Sequence, residues 1–397
     1  MDRNMCFWET GGFALHKKLV AFLVAVSLLF AGCFYFFPRG YHTIDLSTGA
    51  GLAQVLRYED AQIYLSGEEH RKKECLQFRN QLFRYLVKAK GVRVLVTEHG
   101  YTNAFLENET VQGRLDFSSW YDKCQVTQED YELYQWMASY NQGKAEDEKL
   151  SVVGIDITDN IGTLCVMCQY LIADSDLSAA DAQVQQLLQS IQKVSLYSEL
   201  SFQKFQEELL PQLIDLWQNH PEQLQAALGD KAEYLNRALL MWQEQEMLRE
   251  QENGLAWREG KLYENFQWAY QQNPDAKYYG SFGAAHVQLS NYEGDVTRLN
   301  DSCVTQLNAE DSFVKGKVVA IDGAVSYDIG DLSESDTNQV TLYNTACAKN
   351  PYSASGKFYE DAPDTPDTAF AQYVLLYEHP HDLTESKQYS GSYWKYH

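Results

Sequence analysis

Between Ala61 and Tyr101 the apolar positions follow the period of a strand, then that of a helix, then that of a strand again. Ala61-Gln62-Ile63-Tyr64-Leu65-Ser66 reads as the first strand, and Gly67-Glu68-Glu69-His70 follows it directly. From Lys72 to Lys90, Leu76, Leu82, Phe83, Leu86 and Val87 recur at helical spacing with lysines and arginines on the other faces. This predicts an amphipathic helix with Gly91 as its C-cap. Val92-Arg93-Val94-Leu95-Val96-Thr97 is a β-branched run that ends in Glu98-His99-Gly100. A helix of this length between two strands implies parallel pairing, with both carboxyl ends on one edge of the sheet. Glu68, His70, Glu98 and His99 are therefore expected as neighbours.

The rest of the chain alternates in the same way. Residues 41–60 read as a polar lead-in with a short helix, Gln128 to Tyr140 as a helix, and Leu150 to Ile155 as a buried strand ending at Asp156. From Asp174 the pattern changes to long helices rich in glutamine, leucine and glutamate. This predicts a helical insertion over residues 174–256, placed as a cap over the strand ends. Asn253-Gly254 interrupts it, and Trp257 to Gln272 reads as a fresh helix with Arg258 in its first turn, where the helix dipole disfavours a cation. Lys277 to Phe282 is a strand followed by Gly283-Ala284-Ala285-His286, and Lys317 to Ile321 and Gln372 to Tyr377 are two more. Strands alternating with helices predict an α/β domain with a largely parallel sheet flanked by helices.

Composition adds the address. The 397 residues are 45% hydrophobic and 22% charged, which is the balance of a globular chain able to bury a sizeable core. A formal charge of −23 argues against nucleic acid as a partner. Lys17 and Lys18 precede an apolar run from Leu19 to Phe37, close to the roughly 20 residues that cross a bilayer. Residues 1–38 are thus expected to tether an extracytoplasmic domain, residues 39–397, to the cell membrane. Leu29-Phe30-Ala31-Gly32-Cys33 looks like a bacterial lipobox, so an uncleaved anchor and a lipoprotein both fit. Of the eight cysteines, six lie beyond the leader, where disulfides are allowed; Cys165 and Cys168 read as a buried pair of small apolar side chains.

Binding sites in open parallel sheets form at the carboxyl ends of the strands. Glu68 with His70, Glu98 with His99, Asp156 and His286 all fall there, and Arg258 starts a helix at the same edge. Any one has a bland explanation: a lone histidine is commonly structural, Glu69 is solvated, and Asp156 caps the next helix. Together they are the parts of a hydrolytic or metal site.

These residues carry a family resemblance. Gly67-Glu68-Glu69-His70, Glu98, Arg258 and Gly283-Ala284-Ala285-His286 resemble the superfamily that includes erythromycin esterases and the TraB/Tiki proteins, over roughly Ala61 to Val287. The phrase from Leu65 to Glu98 and the strand before the insertion look most like the esterase branch; the two G-x-x-H motifs look more like TraB/Tiki. Esterases of this group usually carry one more residue between the glutamate and histidine of the first motif, and a histidine where this chain has Gly283. The resemblance implies a hydrolase of an ester or lactone with a small-molecule substrate and no cofactor. His70 is then the general base, Glu98 and Glu68 its partners, His286 a second acid/base or orienting group, and Arg258 a stabiliser of an oxyanion or substrate carboxylate. Asp156 and His99 are placed as substrate-binding. Two alternatives stay open: a Tiki-like peptidase holding a divalent metal on His70, Glu98 and His286, and a non-catalytic protein that binds haem or another small ligand on the same rim.

Overall fold

The computed structural model describes residues 40–123, 126–291, 299–326, 338–377 and 386–387. Eight strands, β1 (Tyr41–Asp45), β2 (Ile63–Glu68), β3 (Val94–Gly100), β4 (Ser151–Asp156), β5 (Tyr278–Gly283), β6 (Val318–Ser326), β7 (Gln339–Asn344) and β8 (Tyr373–Tyr377), form one sheet. Their order is β1-β7-β8-β6-β2-β5-β3-β4. The run from β8 to β4 is parallel, whereas β7 pairs antiparallel with β8, and β1 antiparallel with β7. The sheet is therefore mixed. The expectation of a largely parallel sheet holds for the strands around the site and omits β1 and β7, the two antiparallel strands at one edge.

Side chains alternate cleanly across the sheet. Tyr64, Leu95, Val152 and Tyr279 enter one core, and Ile63, Leu65, Val94, Val96, Ile155 and Phe282 enter the other. The first core is closed by α2 (Lys73–Lys90), α3 (Tyr101–Val111), α4 (Gln128–Asn141) and α5 (Ile161–Ala173), after the short α1 (Leu52–Leu56). The predicted cap of α2 is present: Gly91 has φ 76° and its N–H donates to Leu86 O. Glycine takes that left-handed backbone without the penalty a Cβ imposes.

The insertion comprises α6 (Ala182–Gln192), α7 (Glu199–Lys204), a π-helical turn at Phe205–Leu209, α8 (Leu210–Asn219), α9 (Pro221–Leu228) and α10 (Lys231–Leu248). Its Leu188, Ile191, Phe205, Leu213, Leu235 and Leu239 belong to the same core as α2 to α5. It thickens that helical layer, and α10 reaches the rim through Gln245, whose Oε1 accepts from Asp159 N at 2.7 Å. The helix α11 (Gly254–Gln272) covers the opposite face through Leu262 and Phe266. It starts three residues before the expected position, because Asn253 caps it by accepting from Ala256 N at 3.2 Å. Arg258 thus stands in the second turn, clear of the unpaired N–H groups whose dipole opposes a cation. The remaining helix, α12 (Cys303–Leu307), packs beside α11.

The expected anchor, residues 1–38, lies outside the described residues. Among the described residues no helix is long and apolar enough to cross a membrane. Cys75, Cys165, Cys168, Cys303 and Cys347 are free thiols, and Cys165 and Cys168 are buried in α5 as packing residues.

Candidate active site at the carboxyl edge of the sheet

Two carboxylates reach one imidazole from opposite faces of the sheet. Glu68 follows Tyr64 and Ser66 towards the α2 face, while Glu98 follows Val94 and Val96 towards the α11 face. The His70 ring stands over the strand ends between them. Its Nδ1 is 3.4 Å from Glu68 Oε1 and its Nε2 3.6 Å from Glu98 Oε2. The His70 side chain is 57% exposed, whereas those of Glu68 and Glu98 are 11% and 9%. A solvent-facing ring therefore rests on a nearly buried acidic floor. The Glu68 hydrogen bond, helped by the Glu98 charge and opposed by burial, raises the His70 pKa above its ordinary value.

Glu98 is held on both oxygens. Its Oε1 accepts from Arg258 Nη2 at 2.6 Å and pairs with His286 Nε2 at 3.1 Å, and its Oε2 accepts from Gly283 N at 2.6 Å. Burial pushes its pKa up, but His286, His70 and Arg258 together hold it well below the usual carboxylate range. Glu98 is an anion at any physiological pH. The acid partner of the opposite face, Glu68, accepts from Ser281 Oγ at 2.7 Å.

Arg258 grips Asp156 with a fork: Nε donates to Oδ1 at 3.0 Å and Nη2 to Oδ2 at 2.7 Å. Asp156 is 2% exposed and also accepts from Ile157 N, Thr158 N and the Thr158 hydroxyl. Expected to bind substrate, it lies instead beneath Arg258 and fixes its orientation. His99 also takes a different place. A register shift sets both Glu98 and His99 against Ile155, since Thr97 pairs with Gly154 and Gly100 with Asp156. His99 Nδ1 sits 2.8 Å from Glu107 Oε1, beside Asp130 and Arg79, apart from the Glu98 cluster.

His286 is 5% exposed and has a carboxylate at each ring nitrogen: Glu98 Oε1 at Nε2, and Glu259 Oε1 2.7 Å from Nδ1. Burial lowers its pKa, but the two carboxylates outweigh this and hold it at about 9. Glu259 was not among the sequence candidates. It is 1% exposed and its other oxygen accepts from Cys303 N at 2.8 Å. The available signal was its spacing, since Glu259, Leu262 and Phe266 share the buried face of α11. An acid at a core position of a helix needs a partner.

The His286 imidazolium makes folding depend on pH. Its folded pKa lies above the ordinary 6.5, so this stability is complete below pH 6.5 and is lost as pH rises through about 9. Urea unfolding of the wild type is expected to weaken over that window, by at most on the order of 3 kcal/mol from this group. The slope should flatten in Glu259→Gln, which lacks one of the two charges. An unchanged slope in that variant would contradict the imidazolium assignment.

The contact between His70 and the strand end leaves no room at Gly283. A Cβ there would stand 2.6 Å from His70 Nε2 and 3.4 Å from Glu98 Oε2. Gly283→Ala is expected to push the ring aside and lower kcat by about 10²-fold, as a displacement near 1 Å does at a reacting centre. Thermal melting should move little, because the ring faces solvent. Steady-state kinetics paired with a melt tests this.

A metal on His70, Glu98 and His286 does not fit this arrangement. The Arg258 cation already occupies Glu98 Oε1, and His286 has a carboxylate at each ring nitrogen. Among the described residues no group of three or more His, Cys, Asp or Glu side chains is disposed to hold a metal ion.

Comparison with known proteins matches residues 87–292, just over half the chain, to the erythromycin esterase family model. Glu98, Asp156, Arg258, Glu259 and His286 fall inside this span, and Glu68 and His70 precede it. No curated protein matches the chain. Among solved structures, a Bacillus cereus protein aligns with a TM-score of 0.54 at 15% identity, over 84% of this chain and 94% of that one. A succinoglycan biosynthesis protein aligns at 0.51 and 15%, over 80% and 87%. A mutant of the erythromycin esterase EreC in its open conformation aligns at 0.50 and 14%, over 85% and 97%. At these identities the likeness is one of fold.

Proposed function

This chain belongs to the erythromycin esterase family, and from that premise we propose that it hydrolyses an ester or lactone with water activated by His70. The observation that carries the reading is the exposed His70 ring suspended between two nearly buried carboxylates. Glu68 at Nδ1 selects the tautomer that leaves Nε2 with its lone pair. At 3.6 Å the Glu98 oxygen is too far to occupy Nε2 by a direct hydrogen bond, yet near enough to stabilise the imidazolium.

In this scheme Nε2 takes one proton from water while the water oxygen bonds to the acyl carbon. The carbonyl electron pair moves to its oxygen, where the fixed Arg258 charge favours the developing oxyanion. When the oxyanion collapses, the bond to the leaving oxygen breaks and His70 returns the proton to it. An acid and an alcohol result, or one hydroxy acid from a lactone. His286, charged and paired with Glu98 and Glu259, orients Glu98 and takes no part in the proton transfer.

A screen of esters, macrolide lactones and peptides, with and without chelator, tests the reading. Addition of water to an ester or lactone, insensitive to chelation, is expected. Visible absorbance on haem titration with no hydrolysis of any panel member would replace it with the ligand-binding alternative. The Leu19 to Phe37 run behind Lys17 and Lys18 supports tethering to the extracytoplasmic face of a bacterial membrane. Fractionation of cells expressing the chain with and without residues 1–38 tests that part.

A further inference from the structure

His70 lies in the turn between β2 and α2, closed by Lys72 N donating to Glu69 O at 3.3 Å. The residue after it, Arg71, has φ 65°, in the left-handed region. For a side chain with a Cβ this conformation is strained and persists only where the surroundings enforce it. The enforcing contact comes from the far end of the chain. Ser386 N donates to Arg71 O at 2.7 Å.

Ser386 is itself firmly placed. It is 7% exposed, and its hydroxyl donates to Glu129 Oε2. The next carbonyl, Lys387 O, accepts from Gln128 N at 2.9 Å. Gln128 opens α4, so this bond satisfies one of the helix's unpaired N–H groups. The start of α4 is tied in turn to α2, through Asn80 Nδ2 donating to Glu129 O at 2.9 Å and the Arg79 to Asp130 ion pair at 2.8 Å. Residues 386–387 thus bridge the turn that carries His70 to the start of α4, itself tied to α2, and bond the backbone carbonyl one residue beyond His70.

We propose that Ser386 is a positioning residue for His70: its backbone N–H holds the Arg71 carbonyl, and with it the left-handed turn that presents the ring between Glu68 and Glu98. The proposal rests on the reading of His70 as the base. Without this bond Arg71 is free to relax to negative φ, which re-aims the peptide that follows His70 and carries the ring off its two carboxylates. A shift near 1 Å is enough to lower turnover about 10²-fold.

The test compares four full-length proteins, each checked for folding by circular dichroism: wild type, Ser386→Ala, Ser386→Pro and the double variant Arg71→Gly with Ser386→Pro. Alanine keeps the N–H and proline removes it. Two readouts are taken, kcat and KM on erythromycin and p-nitrophenyl acetate, and the pH titration of the His70 ring by NMR on histidine-labelled protein. Ser386→Ala is expected to stay near wild type. Ser386→Pro should lose at least about tenfold in kcat with little change in KM, and its His70 titration should move back towards the ordinary histidine value. Arg71→Gly should restore part of both, because glycine adopts φ > 0 unaided. A folded Ser386→Pro with wild-type His70 titration overturns the proposal, as does a Ser386→Ala as impaired as the proline variant. The ring titration decides independently of turnover. Equal turnover of wild type and His70→Ala would sink the assigned base and leave the positioning result standing.

Discussion

Replacing His70 with alanine is expected to lower kcat by about 10² to 10⁴-fold, the contribution of a positioned general base. The fold should survive. The ring is more than half exposed, so its removal opens no cavity, and Glu98 keeps its bonds from Arg258 and Gly283 and its pairing with His286. Thermal melting within a few degrees of the wild type, alongside collapsed turnover on whichever ester or lactone the screen identifies, is the expected pair of results. Undiminished turnover would remove His70 from the mechanism. A collapse of both activity and melting temperature would make it a structural residue instead.

The second large effect is on stability. Arg258→Ala strips the cation that two carboxylates share, Asp156 at 2% exposure and Glu98 at 9%; Asp156 then keeps only its hydrogen bonds from Ile157 and Thr158, and Glu98 only His286 and the Gly283 N–H. Removing one partner of a buried ion pair typically destabilises by about 3–5 kcal/mol. Arg258→Lys keeps the charge but cannot reproduce the fork across Asp156, so it should fall between alanine and wild type. The sign of the pH dependence is diagnostic. The alanine variant should be most impaired near neutral pH, where the lowered pKa of Glu98 keeps it ionised, and should approach the wild type as acid protonates Glu98. Urea unfolding of the three proteins at neutral and acid pH measures this. A uniform deficit across pH would assign the loss to packing of the arginine stem.

The β2-α2-β3 unit was legible because its apolar period changes from two to 3.6 and back, and because Gly91 ends the helix where the pattern stops. The convergence of Glu68, His70, Glu98, Arg258 and His286 followed from parallel topology, which places every strand's carboxyl end on one edge. Less legible were features set by long-range contacts. Asn253-Gly254 looked like a break, whereas it is an N-cap followed by the first helical residue, a distinction made by one side-chain hydrogen bond. Strand β1 has a mostly polar sequence and exists by pairing with β7 at the sheet edge, whereas β7 carries a β-branched and aromatic run that the predicted strands leave out. Asp156 and His99 sit on the rim as expected, yet their partners turn them inward, to Arg258 and Glu107. Glu259 and Ser386 act through neighbours remote in sequence, which no local period reports.

The register shift in β3 also bears on how the chain tolerates changes of length. Two residues, Glu98 and His99, stand where β4 supplies one, and α3 begins directly after Gly100. Losing either would make the ladder regular, with Gly100 still opposite Asp156, and would leave β3 a single side chain where it now presents two. Loss of Glu98 would also delete the anion on which Arg258, Gly283 and His286 converge. Substitution at position 99 is therefore a local event, whereas a one-residue deletion there removes the irregularity that lets neighbouring residues send side chains to Arg258 and to Glu107. Drift by insertion or deletion is open to the surface loops and closed to this strand end.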